Sequence, residues 1–265
     1  MNLKITLPLL AFIGIFSSQN LQAQEAEELF HEKYSKLSLI LQPSILKGYN
    51  YTRTDPGITF NNTNSFQFGF AYNFAQSKNF NFRAGVVAKV FRPTFDINMT
   101  DEQIGAGPGN ASYLTDFEMS NQFVISETFK TEYFYPITKK INLVAGIGVS
   151  LDLRTGGDDE ILSVDVTNTA TGESNTVFAS TATEEQITAS VDFSIGANYK
   201  TNFGLFQLEI FSNNQLLSSP KEGNFKLHPA NGESVQGSYT IHGNYTGLSL
   251  TFSPKKSWLK KKAKN

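Results

Sequence analysis

Five ionisable side chains stand out by where they fall. Arg83, Lys89, Asp152, Asp192 and Glu209 each take a polar position in a stretch that alternates apolar and polar residues. Set on the inside of a narrow closed structure, opposite charges among them would pair, because an isolated buried charge is costly. Two readings follow. The five form a polar plug that fixes strand register, or they line a selective or gated conduit.

Other chemistry is sparsely supplied. The chain has no Cys, which excludes disulfides, thiol catalysis and thiolate metal sites. Its three histidines are His31, His228 and His242, and none lies in an HExxH motif or beside the serine of a nucleophile elbow. The glycine-rich run at 105–109 lacks the lysine and the strand–helix frame that cradle a phosphate. Asp158, Asp159, Glu160 and Asp165 offer oxygen ligands to a hard cation, but without EF-hand spacing, and a solvated acidic loop is the safer reading. No catalytic residue, metal site or cofactor is assigned, and no enzymatic activity is expected.

The elements that must position the five charges are strands. In QITASVDFSIGANY, residues 186–199, every odd position is apolar, from Ile187 to Tyr199, and every even one is polar or Gly. Period-two alternation marks one greasy and one wet face. The stretch exceeds the usual length of a soluble strand and suits a tilted crossing of a bilayer. Seven further stretches carry the pattern: 34–45, 66–75, 80–91, 121–135, 141–153, 205–213 and 239–252. Pro43 cannot donate to a ladder and is expected at an edge or bulge. The stretch 121–135 is the least regular, because Glu127 shares the apolar face with Phe123, Ile125 and Phe129. If only its last ten or so residues span, Glu127 falls near the membrane boundary. In 239–252 the alternation changes phase, which predicts a bulge near Gly243.

The connections alternate short and long. Those around 75–78, 136–140 and 201–204 are tight. Those at 44–65, 92–120, 154–185 and 214–238 are long and polar, with turn signals such as Asp55-Pro56-Gly57 and Asn231-Gly232. Residues 161–178 read as a hairpin turning at Thr171-Gly172 that extends the fifth and sixth strands. Aromatic rings collect at the short-turn end: Tyr34, Phe74, Phe80, Tyr133, Tyr135, Tyr199, Phe206 and Phe252. Such rings favour the headgroup boundary, so they form a candidate girdle. The fold expected is all-β: a single eight-stranded antiparallel up-and-down transmembrane barrel with long extracellular loops. A soluble β-sandwich would bury the same faces. The two differ in where Phe68, Phe193 and Leu250 lie, outside a barrel or together in a core.

Around the barrel, expected at 34–254, the chain divides into further parts. Residues 1–23 have a lysine, an apolar run from Ile5 to Phe16 and a small-residue end at Ala23, the pattern of a cleaved secretory signal. Residues 24–33 form a short acidic lead-in. Residues 255–265 hold six of the chain's 22 basic residues and no acid, a basic tail that reads as periplasmic. The net charge of −2 offers no basic field for nucleic acid. Mean hydropathy is only −0.25, as in a barrel whose alternate residues alone meet lipid.

The leader, the eight amphipathic strands and segments such as LVAGIGVSLDL and YTGLSLTF resemble the outer-membrane β-barrel domain family of Gram-negative bacteria, with its small OmpA- and OmpX-type barrels and PorT-like relatives. The resemblance covers about residues 34–254. It implies the barrel fold, export by the Sec route and residence in the outer membrane. It implies contact with outer-membrane lipid, and loops available to a surface ligand or an envelope protein. Many such barrels end on the Phe of the last strand, whereas here Phe252 is followed by SPKKSWLKKKAKN. A structural or interaction role fits best, with envelope transport or secretion as the alternative and a membrane-embedded hydrolase or acyltransferase behind it.

Overall fold

Alternating side chains give each long strand one face that repels water, and a sheet of such strands must either pack that face or close upon the other. Here it closes. The computed structural model describes residues 33–51, 58–77, 79–91, 94–97, 114–118, 122–155, 160–168, 170–184, 187–217, 221–228 and 234–257. The expected signal, all of the lead-in before Lys33, the tail beyond Ser257, and the turn signals at 55–57, 105–110 and 231–232 lie outside these.

The described residues hold fourteen strands. In chain order they are β1 Leu37–Tyr51, β2 Ile58–Asn61, β3 Thr63–Ser77, β4 Phe80–Phe91, β5 Thr94–Ile97, β6 Leu114–Glu118 and β7 Gln122–Pro136. Then come β8 Ile141–Thr155, β9 Glu160–Thr167, β10 Ser174–Glu184, β11 Ile187–Lys200, β12 Gly204–Leu217, β13 Lys221–Leu227 and β14 Val235–Pro254. Eight make the wall, in the order β1-β3-β4-β7-β8-β11-β12-β14, and β14 pairs back onto β1. Every contact in the wall is antiparallel, and the closing register sets Leu39 against Phe252 and Leu41 against Leu250. Closure leaves the wall without a free edge.

The wall decides between barrel and sandwich. Phe68 is 47% exposed, Phe193 45% and Leu250 38%, whereas Gln67 is 2% exposed and Glu209 1%. Apolar side chains point outward and polar ones toward the axis, which is the reverse of a water-solvated core. The narrow interior also crowds inward-facing positions. A Cβ on Gly196 would meet the Leu208 carbonyl oxygen at 2.0 Å and Glu209 Cα at 2.6 Å, so only glycine lets β11 and β12 coil this tightly there.

Three tight turns close one end. Thr138 Oγ1 accepts the Ile141 amide at 3.0 Å, and Thr201 Oγ1 accepts the Gly204 amide at 3.0 Å, so short hydroxyl side chains hold two of them. The two ends of the described wall meet at the same rim: Tyr34 bridges Lys255, and the Ser35 amide donates to the Pro254 carbonyl at 2.7 Å. The predicted bulge lies in β14. Lys47 faces Asn244 and Tyr49 faces Ile241, so two steps of β1 match three of β14 around Gly243, whose freed amide donates to Gln215 Oε1 at 2.8 Å. Pro43 differs from expectation. It lies within a fully enclosed strand, opposite Phe66, at neither an edge nor a register shift.

The long connections are more structured than their polar composition suggests. β9 and β10 form the predicted hairpin, with Gly172 at φ +74° in the left-handed region and Asn168 Oδ1 capping the turn through the Ala170 amide at 2.9 Å. It does not prolong β8 and β11. It leaves them and pairs with β13, which pairs with the upper half of β14. β2, β5 and β6 make a second, three-stranded sheet. Phe95 of that sheet meets Phe178 of the first at 4.8 Å, and Phe178 meets Phe225 at 6.3 Å. The buried Val177, Leu227 and Tyr239 lie in the first sheet, giving the far end a folded cap with an apolar centre.

Candidate functional site: the charged lumen

Inward positions on β4, β7 and β12 converge on one cluster in the half of the lumen nearer the short turns. Arg83 Nη2 stands 3.1 Å from Glu132 Oε1 and 3.6 Å from Glu209 Oε2. Lys130 Nζ donates to Glu209 Oε1 at 2.7 Å and lies 3.3 Å from Glu132. Neutral donors complete the carboxylates: Ser194 Oγ reaches Glu209 Oε1 at 2.6 Å, and Gln207 Nε2 and Asn81 Nδ2 reach Glu132 at 2.7 and 2.9 Å. Two cations thus share two anions across the barrel, each carboxylate further hydrogen-bonded, which offsets much of the cost of leaving water.

A second cluster lies nearer the cap. Lys89 Nζ donates to both oxygens of Asp152 at 2.9 and 3.2 Å and sits 5.0 Å from the ring centre of Tyr245. Ser126 donates to Asp152, and Ser150 donates to Asp192. Asn213 Nδ2 also donates to Asp192, at 2.7 Å. Arg154, one residue beyond the expected end of its strand, is buried as well. Inside the wall stands a small apolar group, Ile40, Ala71 and Val87, beside a cavity of about 50 Å³ with room for a few water molecules at most. Among the described lumen residues the cations Arg83, Lys89, Lys130 and Arg154 match the anions Glu132, Asp152, Asp192 and Glu209.

All five sequence-predicted lumen residues therefore face inward. Arg83 meets Glu209, Lys89 meets Asp152, and Asp192 takes neutral donors. Lys130 and Glu132 escaped the sequence reading. The signal was present, since the alternation that turns Phe129 and Tyr133 outward turns Lys130 and Glu132 inward, but Glu127 on the apolar face blurred the pattern.

Most of the candidate girdle lies on the outside of the short-turn rim. Phe74, Phe80 and Tyr199 are exposed, and Tyr133, Tyr135, Phe206 and Phe252 are half-buried against neighbouring rings and strands. Phe80 packs on Tyr133 at 5.1 Å and Phe206 on Phe252 at 4.8 Å. Tyr34 is the exception. It is 3% exposed and tucked against the chain's other end, so it is a rim closure rather than a girdle ring, and burial raises its phenol pKa.

Three groups stand apart. His228 Nδ1, just past β13, and Ser234 Oγ, just before β14, are 2.7 Å apart, and the His228 amide donates to the Val177 carbonyl. An imidazole beside a hydroxyl is half of a nucleophile, but among the described residues no carboxylate orients the ring. The His242 side chain, Asp158 and Asp159 lie outside what is described. Asp165 is exposed and accepts from Thr176 Oγ1 at 2.6 Å, and no group of three metal-ligating side chains occurs among the described residues.

The sequence matches no family model and no curated protein. Among solved structures it is similar to the outer membrane protein OprG of Pseudomonas aeruginosa, at 12% identity and TM-score 0.41, over 82% of this chain and 95% of that one. It is also similar to the outer membrane protease OmpT of Escherichia coli, at 9% and 0.35, over 88% and 98%. The β domain of the Bordetella autotransporter BrkA aligns at 8% and 0.24, over 83% and 97%. Likenesses this distant carry no argument, and the closed wall rests on its own register.

Proposed function

We propose that this chain is an outer-membrane β-barrel with a structural and interaction role: a rigid, sealed cylinder that holds a folded cap outside the membrane. The observation that carries it is the pairing of an apolar outer band with a lumen whose charges neutralise one another. An apolar exterior calls for lipid as solvent. A lumen held by the Arg83–Glu132–Lys130–Glu209 cluster has no cause to conduct, since eight strands leave an interior that side chains fill. Function then moves to the cap. Its β10–β13–β14 sheet bears a cleft of about 550 Å³ lined by Phe225 and flanked by Thr181, Asn224, Lys226 and Gln236, a mixed surface suited to a ligand or envelope protein. No catalytic activity, cofactor or nucleic-acid partner belongs to this reading. Sec-type export with cleavage after Ala23 would deliver it.

Planar-bilayer recording on the refolded protein is the test. We expect no steady conductance. Discrete, long-lived channels would overturn the sealed lumen in favour of a transport role. Membrane residence is checked separately: the unboiled protein should float with vesicles and change gel mobility on boiling.

A further inference from the structure

β7 is paired well beyond Glu127 in both directions, to β4 over 122–133 and to β8 over 123–136. Glu127 therefore does not fall at the end of a shortened span. It is exposed on the outer face, opposite Val86 and Leu151, with Phe129 two residues along its own strand. The same register puts Phe80 against Tyr133 and Val90 against Phe123. At about 2.5 Å of height per residue in a strand tilted near 40°, Glu127 stands about 15 Å above the ring at Phe80 and about 10 Å below Val90. That is mid-band. No hydrogen bond or ion pair engages Glu127 among the described residues, and hydrocarbon offers none.

We propose that the outer face of β4, β7 and β8 around Glu127 docks a membrane-embedded protein segment that presents a lysine or arginine to this carboxylate. The proposal rests on the outer-membrane reading. Three features favour such a partner. The charge asks for a cation at a depth headgroups do not reach. Small side chains lie diagonally across from it, Ala84 and Ala88 on β4, on either side of Val86. Below, from Thr131 past Ala145 and Ile147, an apolar groove of about 610 Å³ crosses the wall and would seat the rest of the segment. A second copy fits less well. Among the described residues the outward wall positions carry one cation, Lys47, beside the β14 bulge and remote from this face.

The test compares protein extracted in mild detergent from its own outer membrane with protein refolded alone in phosphatidylcholine vesicles. A photo-crosslinker at Leu151 should join the native protein to one other protein chain. Glu127→Leu should cut that product about tenfold or more, as loss of one member of a desolvated charge pair does, and Glu127→Asp should retain part of it. Refolded alone, Glu127→Leu should unfold at higher urea than wild type, because a lone charge has left the lipid face. Three results would overturn the proposal: adducts with lipid only, adducts with a second copy of this chain, or a heterologous adduct indifferent to Glu127→Leu. Failure of the wild type to float with vesicles would instead sink the membrane reading itself.

Discussion

Removing the Glu209 carboxylate should be among the most damaging single changes in the wall. Glu209 accepts from Lys130 at 2.7 Å and Ser194 at 2.6 Å, with Arg83 at 3.6 Å. In Glu209→Ala, Arg83 and Lys130 are left to share Glu132 alone, at 3.1 and 3.3 Å. One buried cation is then uncompensated, which costs about 3–5 kcal/mol. With an unfolding slope of about 2 kcal/mol per molar urea, the midpoint falls by about 2 M. The assay is urea unfolding of protein refolded in lipid vesicles, read by the shift in unboiled gel mobility. Glu209→Leu combined with Lys130→Met restores neutrality, with Arg83 still on Glu132, and should return to within about 1 kcal/mol of wild type. The double change should therefore cost far less than the sum of the two single changes. A loss below about 1 kcal/mol for Glu209→Ala, with additive doubles, would mean that water already screens these groups. The argument for a sealed lumen would fail with it.

Two further outcomes follow from the cap and the rim. Phe178 is fully buried between Phe95 and Phe225, so Phe178→Ala should cost the cap about 3–5 kcal/mol; limited proteolysis should then cut β9, β10 or β13 while the wall keeps its heat-dependent mobility, and loss of both together would show that cap and wall unfold as one. Burial raises the Tyr34 pKa, so the stability its neutral phenol contributes is present below about 10 and is lost as pH rises through the higher folded-state value. Wild type should therefore lose more stability than Tyr34→Phe between pH 9 and 11, and parallel losses in urea midpoint would show that Tyr34 stays solvated.

Much of the wall was legible because a barrel writes itself in period two. Phe66 to Phe74, Leu143 to Leu151 and Ile187 to Tyr199 announce both the strand and the face, and the phase change near Gly243 announced the bulge. The lumen was legible in part, for the same alternation assigns Arg83, Lys89, Asp152, Asp192 and Glu209 to the wet side. Lys130 and Glu132 were readable by phase but hidden behind Glu127. Of the cap, only the β9–β10 hairpin was legible. β2, β5, β6 and β13 are short and polar, and what orders them is Phe95 meeting Phe178 from a segment far away in the chain.

Local alternation, turn residues and connection lengths fix the number of wall strands, the outward face and the end at which the wall begins and finishes, because each depends on neighbours a few residues apart. Tertiary structure alone decides which charges share a network, where the β9–β10 hairpin docks and how deep Glu127 lies. Those depend on register between strands that share no sequence proximity, and a slip of two residues would keep every face while changing every partner.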